Sequence, residues 1–250
     1  VRNRVAEYYD SIAPFYESLY LGSEYYRALY MKVGNVLDAY IKPRTRVLDV
    51  GAGTGFWSIY LRRKGAHVTS LDISCASLKR CKPCDERVQG DAASLPFKRE
   101  SFDAVVALGS VYNHLPDADA AFASAACVLK RGGVFIADID NAVCLDMLFE
   151  YAMYQGVRKL LAALLRGAVR GVWEFSGREV PFTYYSYFRV VSSMRRAGFK
   201  LVEARPVYLL PPLPSRLLQR GFRLKFFEKF DALKCLAPLS TTVIYVAVRV

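Results

Sequence analysis

The chain has 250 residues, 53% of them apolar, with 35 basic against 23 acidic side chains and a net charge of +12. That length fits one α/β domain, or one domain with a sizeable insertion, and that apolar content fills a large core. No uncharged apolar run reaches the 18 residues that would suggest a membrane span. The N-terminal segment has no apolar stretch of signal-peptide kind, so a cytoplasmic protein is expected.

The charge is unevenly spread. Residues 1–150 carry 18 basic and 18 acidic side chains, whereas residues 151–250 carry 17 and 5. Such an imbalance suggests an anionic partner for the second stretch, or only a solubilising face. Asn and Gln together number seven and Arg outnumbers Lys 23 to 12, a composition consistent with a thermophilic source.

Residues 1–45 read as an N-terminal helical segment. The stretch AEYYDSIAPFYESLY sets Tyr8, Tyr9, Tyr16 and Tyr20 at spacings compatible with one helical face. Residues 46–141 then alternate strand and helix signals. RVLDVGA reads as a buried strand, FWSIYLRRKG as a helix ended by glycine, and HVTSLDI as a second strand. A short helix over SCASLKRC, a strand near RVQGDA and a strong buried strand, FDAVVALG, come next. A helix over DADAAFASAACVLKRGG and the strand VFIADID complete the region. Helices of this length between strands imply a parallel, Rossmann-like sheet covered on both faces, with ligands at the carboxyl ends of its strands.

Cys81-Lys-Pro-Cys84 has the spacing of a metal knuckle. No second such pair follows, and His67 and His114 are the only histidines, so no metal site is expected.

After Asn141 the rhythm changes. Residues 142–166 read as one long apolar helix with a basic end, and EFSGREVPFTYYSYF as a strand or hairpin. RVVSSMRRAGF is a helix leading into the strand KLVEARPVYLL, and TTVIYVAVRV is a last strand. Between those two strands, residues 211–240 are too long for a hairpin loop and read as an inserted helix. Leu218, Phe222, Phe226, Phe230 and Leu233 would form its apolar face, with Arg216, Arg220, Arg223 and Lys234 mostly elsewhere. Such a basic amphipathic helix can lie on an anionic membrane surface, cover a lipid-like substrate, or pack on the fold's own core.

The loop VLDVGAGTGF raises the question of a ligand. Gly51, Gly53 and Gly55 are spaced G-x-G-x-G, whereas a dinucleotide loop is G-x-G-x-x-G and a Walker loop ends in Gly-Lys-Ser/Thr. Asp49, just before the glycines, would repel a pyrophosphate but suits a cationic amino-acid ligand. Asp72 ends the second strand, placed to accept hydrogen bonds from ribose hydroxyls, and Asp91, beside Ala92, ends the third, where it could meet an adenine amino group.

Taken together, VLDVGAGTG, LDIS, QGDAASLPF, SFDAVVALGS and LKRGGVFIADI resemble the class I S-adenosylmethionine-dependent methyltransferases, in particular the group containing ubiquinone and menaquinone biosynthesis enzymes. The likeness covers roughly residues 5–140 and, more loosely, the last two strands. It implies a seven-stranded, mostly parallel sheet with the last strand antiparallel. It also implies S-adenosylmethionine as cofactor, with Gly51, Ala52, Gly53, Thr54 and Gly55 at the methionyl part. Asp72 and Ile73 would face the ribose, Asp91 and Ala92 the adenine, and Leu108 and Gly109 the wall after the fourth strand. The N-terminal segment would fold over the cofactor as a lid, bringing Tyr16 near it.

Methyl transfer is a displacement from a good leaving group, so the protein mainly aligns and desolvates. A base is needed only where the nucleophile must lose a proton. The candidates lie in Gly109-Ser-Val-Tyr-Asn-His-Leu-Pro-Asp117: His114 as a base or as a residue shaping the pocket, and Tyr112 and Asn113 as substrate contacts. The resemblance of this loop to glycine N-methyltransferases implies the pocket-shaping role. His67, at the sheet's far end, is read as structural. The aromatics of residues 181–188 would line an apolar acceptor pocket. The expected function is methyl transfer to an O, C or N atom of a small or lipid-like acceptor, an anionic one among them. RNA methylation and a non-catalytic cofactor-binding subunit are the alternatives.

Overall fold

Strand β1 (Arg46–Val50) buries Val47, Leu48 and Val50, the pattern expected where helices cover both faces of a parallel sheet. The protein is seen here as a computed structural model. It describes residues 2–21, 24–81, 86–151, 153, 156–175, 177–209 and 233–250. Strands β2 (His67–Asp72), β3 (Glu86–Gln89), β4 (Phe102–Ala107) and β5 (Leu129–Asp140) run parallel with β1. Helices α4 (Phe56–Arg63), α5 (Cys75–Arg80) and α6 (Ala118–Val128) lie in the crossovers. Ser74 caps α5 by accepting from Ser77 N, and Asp117 caps α6 by accepting from Asp119 N.

β9 (Thr242–Arg249) pairs antiparallel with β5 and with β8 (Phe199–Val207), giving the order β3-β2-β1-β4-β5-β9-β8. This is the seven-stranded sheet expected from the sequence. Chain order reverses between β1 and β4, the switch point where such sheets open a crevice beyond their strand ends.

Two additions close over that crevice. The first is the N-terminal helices α1 (Arg2–Ile12), α2 (Tyr16–Leu21) and α3 (Glu24–Tyr40). Asp10 fixes α1 to the start of α5 by accepting from Ser74 Oγ at 2.6 Å and Ala76 N at 3.0 Å. The second is an antiparallel ribbon of β6 (Ala168–Phe175) and β7 (Arg178–Tyr185). Val180 of β7 is buried with Val5, Tyr8 and Ile12 of α1, so ribbon and lid share one small apolar core.

The single helix expected over 142–166 is instead broken. α7 (Leu145–Glu150) and α8 (Val157–Leu161) are separate, and a π-helical turn follows at Ala162–Arg166. Gly156, before α8, has φ 85° and ψ 159°, a conformation that interrupts a helix and suits glycine. α9 (Tyr187–Arg196) then leads into β8. The expected helix within 211–240 falls mostly on residues 210–232, outside the described residues, with Arg216, Leu218, Arg220, Phe222, Arg223, Phe226 and Phe230. The described part, Lys234–Leu239, is a 3-10 turn with Pro238 inside it. Among the described residues no helix is long and apolar enough to cross a membrane.

Candidate active site

Two cavities meet beyond the strand ends. The first, about 250 Å³, lies over the glycine loop. Gly51, Gly53 and Gly55 have φ of 73°, 55° and 94°, and Gly51 N donates to Leu71 O at 2.7 Å. A Cβ on Gly51 would lie 2.3 Å from Val111 Cγ2, whereas one on Gly53 would meet nothing within 4 Å. The loop is therefore packed tightly at its first glycine and open at its second.

Asp72 secures this geometry. Its Oδ2 accepts from Gly53 N at 2.8 Å and its Oδ1 from Ser74 N at 2.7 Å. Burial raises its pKa to about 6. At the end of β3, Asp91 Oδ1 accepts from Ala93 N at 2.8 Å. Gly51, Gly53, Asp72 and Ile73 line the cavity together with Asp91, Ala92, Leu108 and Gly109, and Tyr16 closes it from the lid. Among the described residues its lining holds three carboxylates (Asp72, Asp91 and Asp117) and no Lys or Arg.

The second cavity, about 260 Å³, lies under the lid and the ribbon. Tyr26, Leu29 and Tyr30 of α3, Trp173 and Phe182 of the ribbon, and Ser110, Asp140 and Thr242 line it. Tyr9, Tyr16, Gly109 and His114 line both cavities and so form the wall between them.

Two of these wall residues, Tyr9 and His114, are hydrogen-bonded to each other. His114 Nδ1 lies 3.2 Å from Pro181 O, and Tyr9 Oη lies 2.8 Å from Nε2. A carbonyl can only accept, so Nδ1 carries the proton and Nε2 accepts from the Tyr9 hydroxyl. Burial drives the imidazole pKa down to about 4, so the ring is neutral at physiological pH. Its lone pair is taken and its basicity is low, so of the two expected roles, base or pocket-shaping residue, the geometry favours the second: His114 aims Tyr9.

Several other expectations are corrected. Tyr112 is buried and donates to Ala121 O, packed between Phe122 and Phe135, so it is a core residue without access to either cavity. Asn113 is also buried, and its amide bonds Asp140 O, Asp140 N and Thr183 O, tying the ribbon to β5. Asp49 does not line the cavity. Its Oδ2 accepts from Ser58 Oγ at 2.6 Å behind the loop, where burial raises its pKa to about 7. Ala52, Thr54 and Gly55 likewise stand beside the cavity rather than in its lining. Ala52 N donates to Leu71 O, Thr54 Oγ1 donates to Glu17 of the lid, and Gly55 starts α4. Of the tyrosines expected on one face, Tyr8 packs into the lid's apolar core while Tyr9 and Tyr16 reach the cavities. The side chain of Tyr20 lies outside the described residues.

Residues that sequence reasoning did not single out are Asp138 and Asp140, Tyr26 and Tyr30, and Trp173. Asp138 Oδ1 accepts from Gly109 N at 2.7 Å, and Asp140 Oδ1 accepts from Thr242 Oγ1 at 2.6 Å. Burial raises these carboxyls to about 7 and about 6 respectively. Two acids at alternate positions closing an apolar strand were a signal for them. Tyr26 and Tyr30 of α3 and Trp173 of the ribbon carried none, whereas Phe182 falls among the aromatics of residues 181–188 expected to line an acceptor pocket.

The family described as a methyltransferase domain matches residues 48–137. An uncharacterised protein of Methanocaldococcus jannaschii is 27% identical over 204 residues, covering 79% of this chain and 77% of that one. A demethylmenaquinone methyltransferase of Streptomyces avermitilis is 34% identical over 138 residues, or 52% of this chain and 58% of that one. The chain thus spans more than half, but less than two thirds, of that enzyme. A Pyrococcus horikoshii OT3 protein of known structure shares the fold with a TM-score of 0.65 at 19% identity, covering 96% of this chain and 98% of that one.

Residues 48–137 match a methyltransferase domain, and the seven-stranded sheet shares its fold with solved S-adenosylmethionine-dependent methyltransferases. The cavity fits that cofactor on its own chemistry. A positively charged sulfonium and amino group suit a lining whose described residues include carboxylates and no Lys or Arg, whereas a pyrophosphate does not. The open side of Gly53 also admits a ligand against the backbone.

Proposed function

We propose that this methyltransferase methylates a small acceptor held in the second cavity while S-adenosylmethionine occupies the first. The observation that carries this reading is the shared wall: four residues, Tyr9, Tyr16, Gly109 and His114, line both spaces. S-adenosylmethionine, when bound, supplies an electrophilic methyl group on a sulfonium. The chain's contribution is then alignment. The backbone of Gly51 and Gly53 with the carboxylates of Asp72 and Asp91 would hold the cofactor. His114 fixes the Tyr9 hydroxyl, and α1 with the ribbon excludes water from the wall.

The acceptor space is mostly aromatic, which supports a small, largely apolar molecule. It holds no Lys or Arg among the described residues, so an anionic acceptor would find no counter-charge there. A cavity enclosed by lid and ribbon also favours a small molecule over RNA. Incubation with methyl-labelled cofactor and either a small-molecule extract or total RNA tests the choice. Label is expected in the small-molecule fraction; label in RNA alone overturns the proposal.

A further inference from the structure

The second cavity has a specific chemical character. In a chain of net charge +12, its described lining has no Lys or Arg and one carboxylate, Asp140. His114 also lines it but is neutral, its Nε2 already accepting from Tyr9. Asp140 ends β5 at the floor, oriented by the Thr242 hydroxyl, which donates to Oδ1. Tyr26, Tyr30, Trp173 and Phe182 supply the walls. Rings present a negative face to a cation, and a carboxylate presents a full negative charge. An aromatic box with one carboxylate and no competing cation is built for an ammonium group.

We propose that the acceptor is a primary or secondary amine on a small apolar or aryl body, with its nitrogen held at Asp140 inside this box. The proposal rests on the reading of the two cavities as cofactor and acceptor sites, and it names the acceptor's class. The incoming ammonium gives one proton to the Asp140 carboxylate. The freed nitrogen lone pair forms the new N–C bond as the S–C bond of the sulfonium breaks, its electron pair staying on sulfur. The methylated product leaves as an ammonium, S-adenosylhomocysteine remains, and Asp140 returns its proton to water. Overall one amine methyl group is gained and one proton released.

Binding can be read without turnover from Trp173, which lines the cavity, and by calorimetry. Benzylamine, benzyl alcohol and benzoate share one aryl body and differ in the group offered to Asp140. Wild type is expected to bind benzylamine at least about tenfold more tightly than benzyl alcohol, and benzoate more weakly still. Asp140→Asn should erase the amine's advantage, whereas Asp140→Glu should keep part of it. Binding of S-adenosylhomocysteine to each variant shows that the fold and the first cavity survive. Alcohol or acid binding as tightly as the amine, no amine binding, or an amine preference that survives Asp140→Asn each overturns the proposal. If benzylamine binds as expected but S-adenosylhomocysteine does not bind wild type, the amine site stands and the methyltransferase reading of the first cavity falls instead.

Discussion

The two cavities adjoin, yet they are built in opposite ways. Apart from the wall they share, the first draws mainly on strand ends and loops between Gly51 and Ala120, each in a motif of fixed spacing. The second takes residues from Tyr9 to Thr242, gathered from the lid, the turn after β4, the end of β5, the ribbon and β9. A site held by backbone geometry at strand ends is written locally, because glycine and acid positions must follow each strand. A site held by packed side chains is written only in the tertiary contacts. The comparison predicts that damage to the first cavity acts through the backbone, and damage to the second through single side chains.

The largest expected effect sharpens the backbone half. Gly51→Ala forces a Cβ into Val111 at a positive φ, combining overpacking of about 1–3 kcal/mol with left-handed strain of about 1–2 kcal/mol. Gly53→Ala carries the strain without the clash. Chemical denaturation should rank Gly51→Ala well below Gly53→Ala, and Val111→Ala should partly rescue the former. Equal losses would mean that the first glycine is not the packed one.

Asp72→Ala comes next. It removes the acceptor for Gly53 N and Ser74 N, and calorimetry should find S-adenosylhomocysteine weakened by about 1.5–3 kcal/mol. Asp49→Asn should leave that affinity nearly unchanged, since its carboxyl faces Ser58 and not the cavity. A reversed order would break the assignment of the two acids.

Tyr9→Phe probes the wall. It strips His114 Nε2 of its donor at a buried site and should cost about 1–3 kcal/mol of stability. Turnover should fall with little change in cofactor affinity. His114 acting as the base would give a different signature, with turnover surviving in Tyr9→Phe and falling at low pH as the imidazole protonates.

A further effect is a slope with pH. Asp49 and Asp138 titrate near 7, Asp72 and Asp140 near 6, all raised by burial from 3.8. Folded protein therefore holds these protons more tightly than unfolded chain, and their stabilising contribution is lost as pH rises from about 4 to about 7. His114, lowered to about 4 from 6.5, works the other way, adding stability as pH rises from about 4 to about 6.5. Four carboxylates outweigh one imidazole, so the melting temperature of ligand-free protein should fall between about pH 5 and 7.5. A flat or rising profile would show these acids to be better solvated than the fold implies.

The same contrast explains what the sequence made legible. The sheet could be read because β1, β2, β4 and β5 are apolar runs separated by helices of crossover length. Gly51, Gly53, Asp72 and Asp91 could be read because strand ends fix where they fall. Tyr112 misled because it sits beside His114 in the chain, yet a 3-10 turn over Val111–His114 sends the two rings to different places. Asp49 misled because its position before the loop does not reveal that Ser58, nine residues on, donates to its carboxyl away from the cavity. The break at Gly156 was hidden because apolar spacing on either side of it continues the helical pattern. Tyr26, Trp173 and Asp140 could be joined only once α3, the ribbon and β5 were seen at one cavity.

The most direct measurement is a crystal structure with S-adenosylhomocysteine. The account predicts density in the cavity of Gly51, Asp72 and Asp91, with the ribose at Asp72 and the thioether turned to the wall of Gly109 and His114. Density in the aromatic cavity of Tyr26, Trp173 and Asp140, or none in either cavity at saturating ligand, would contradict it.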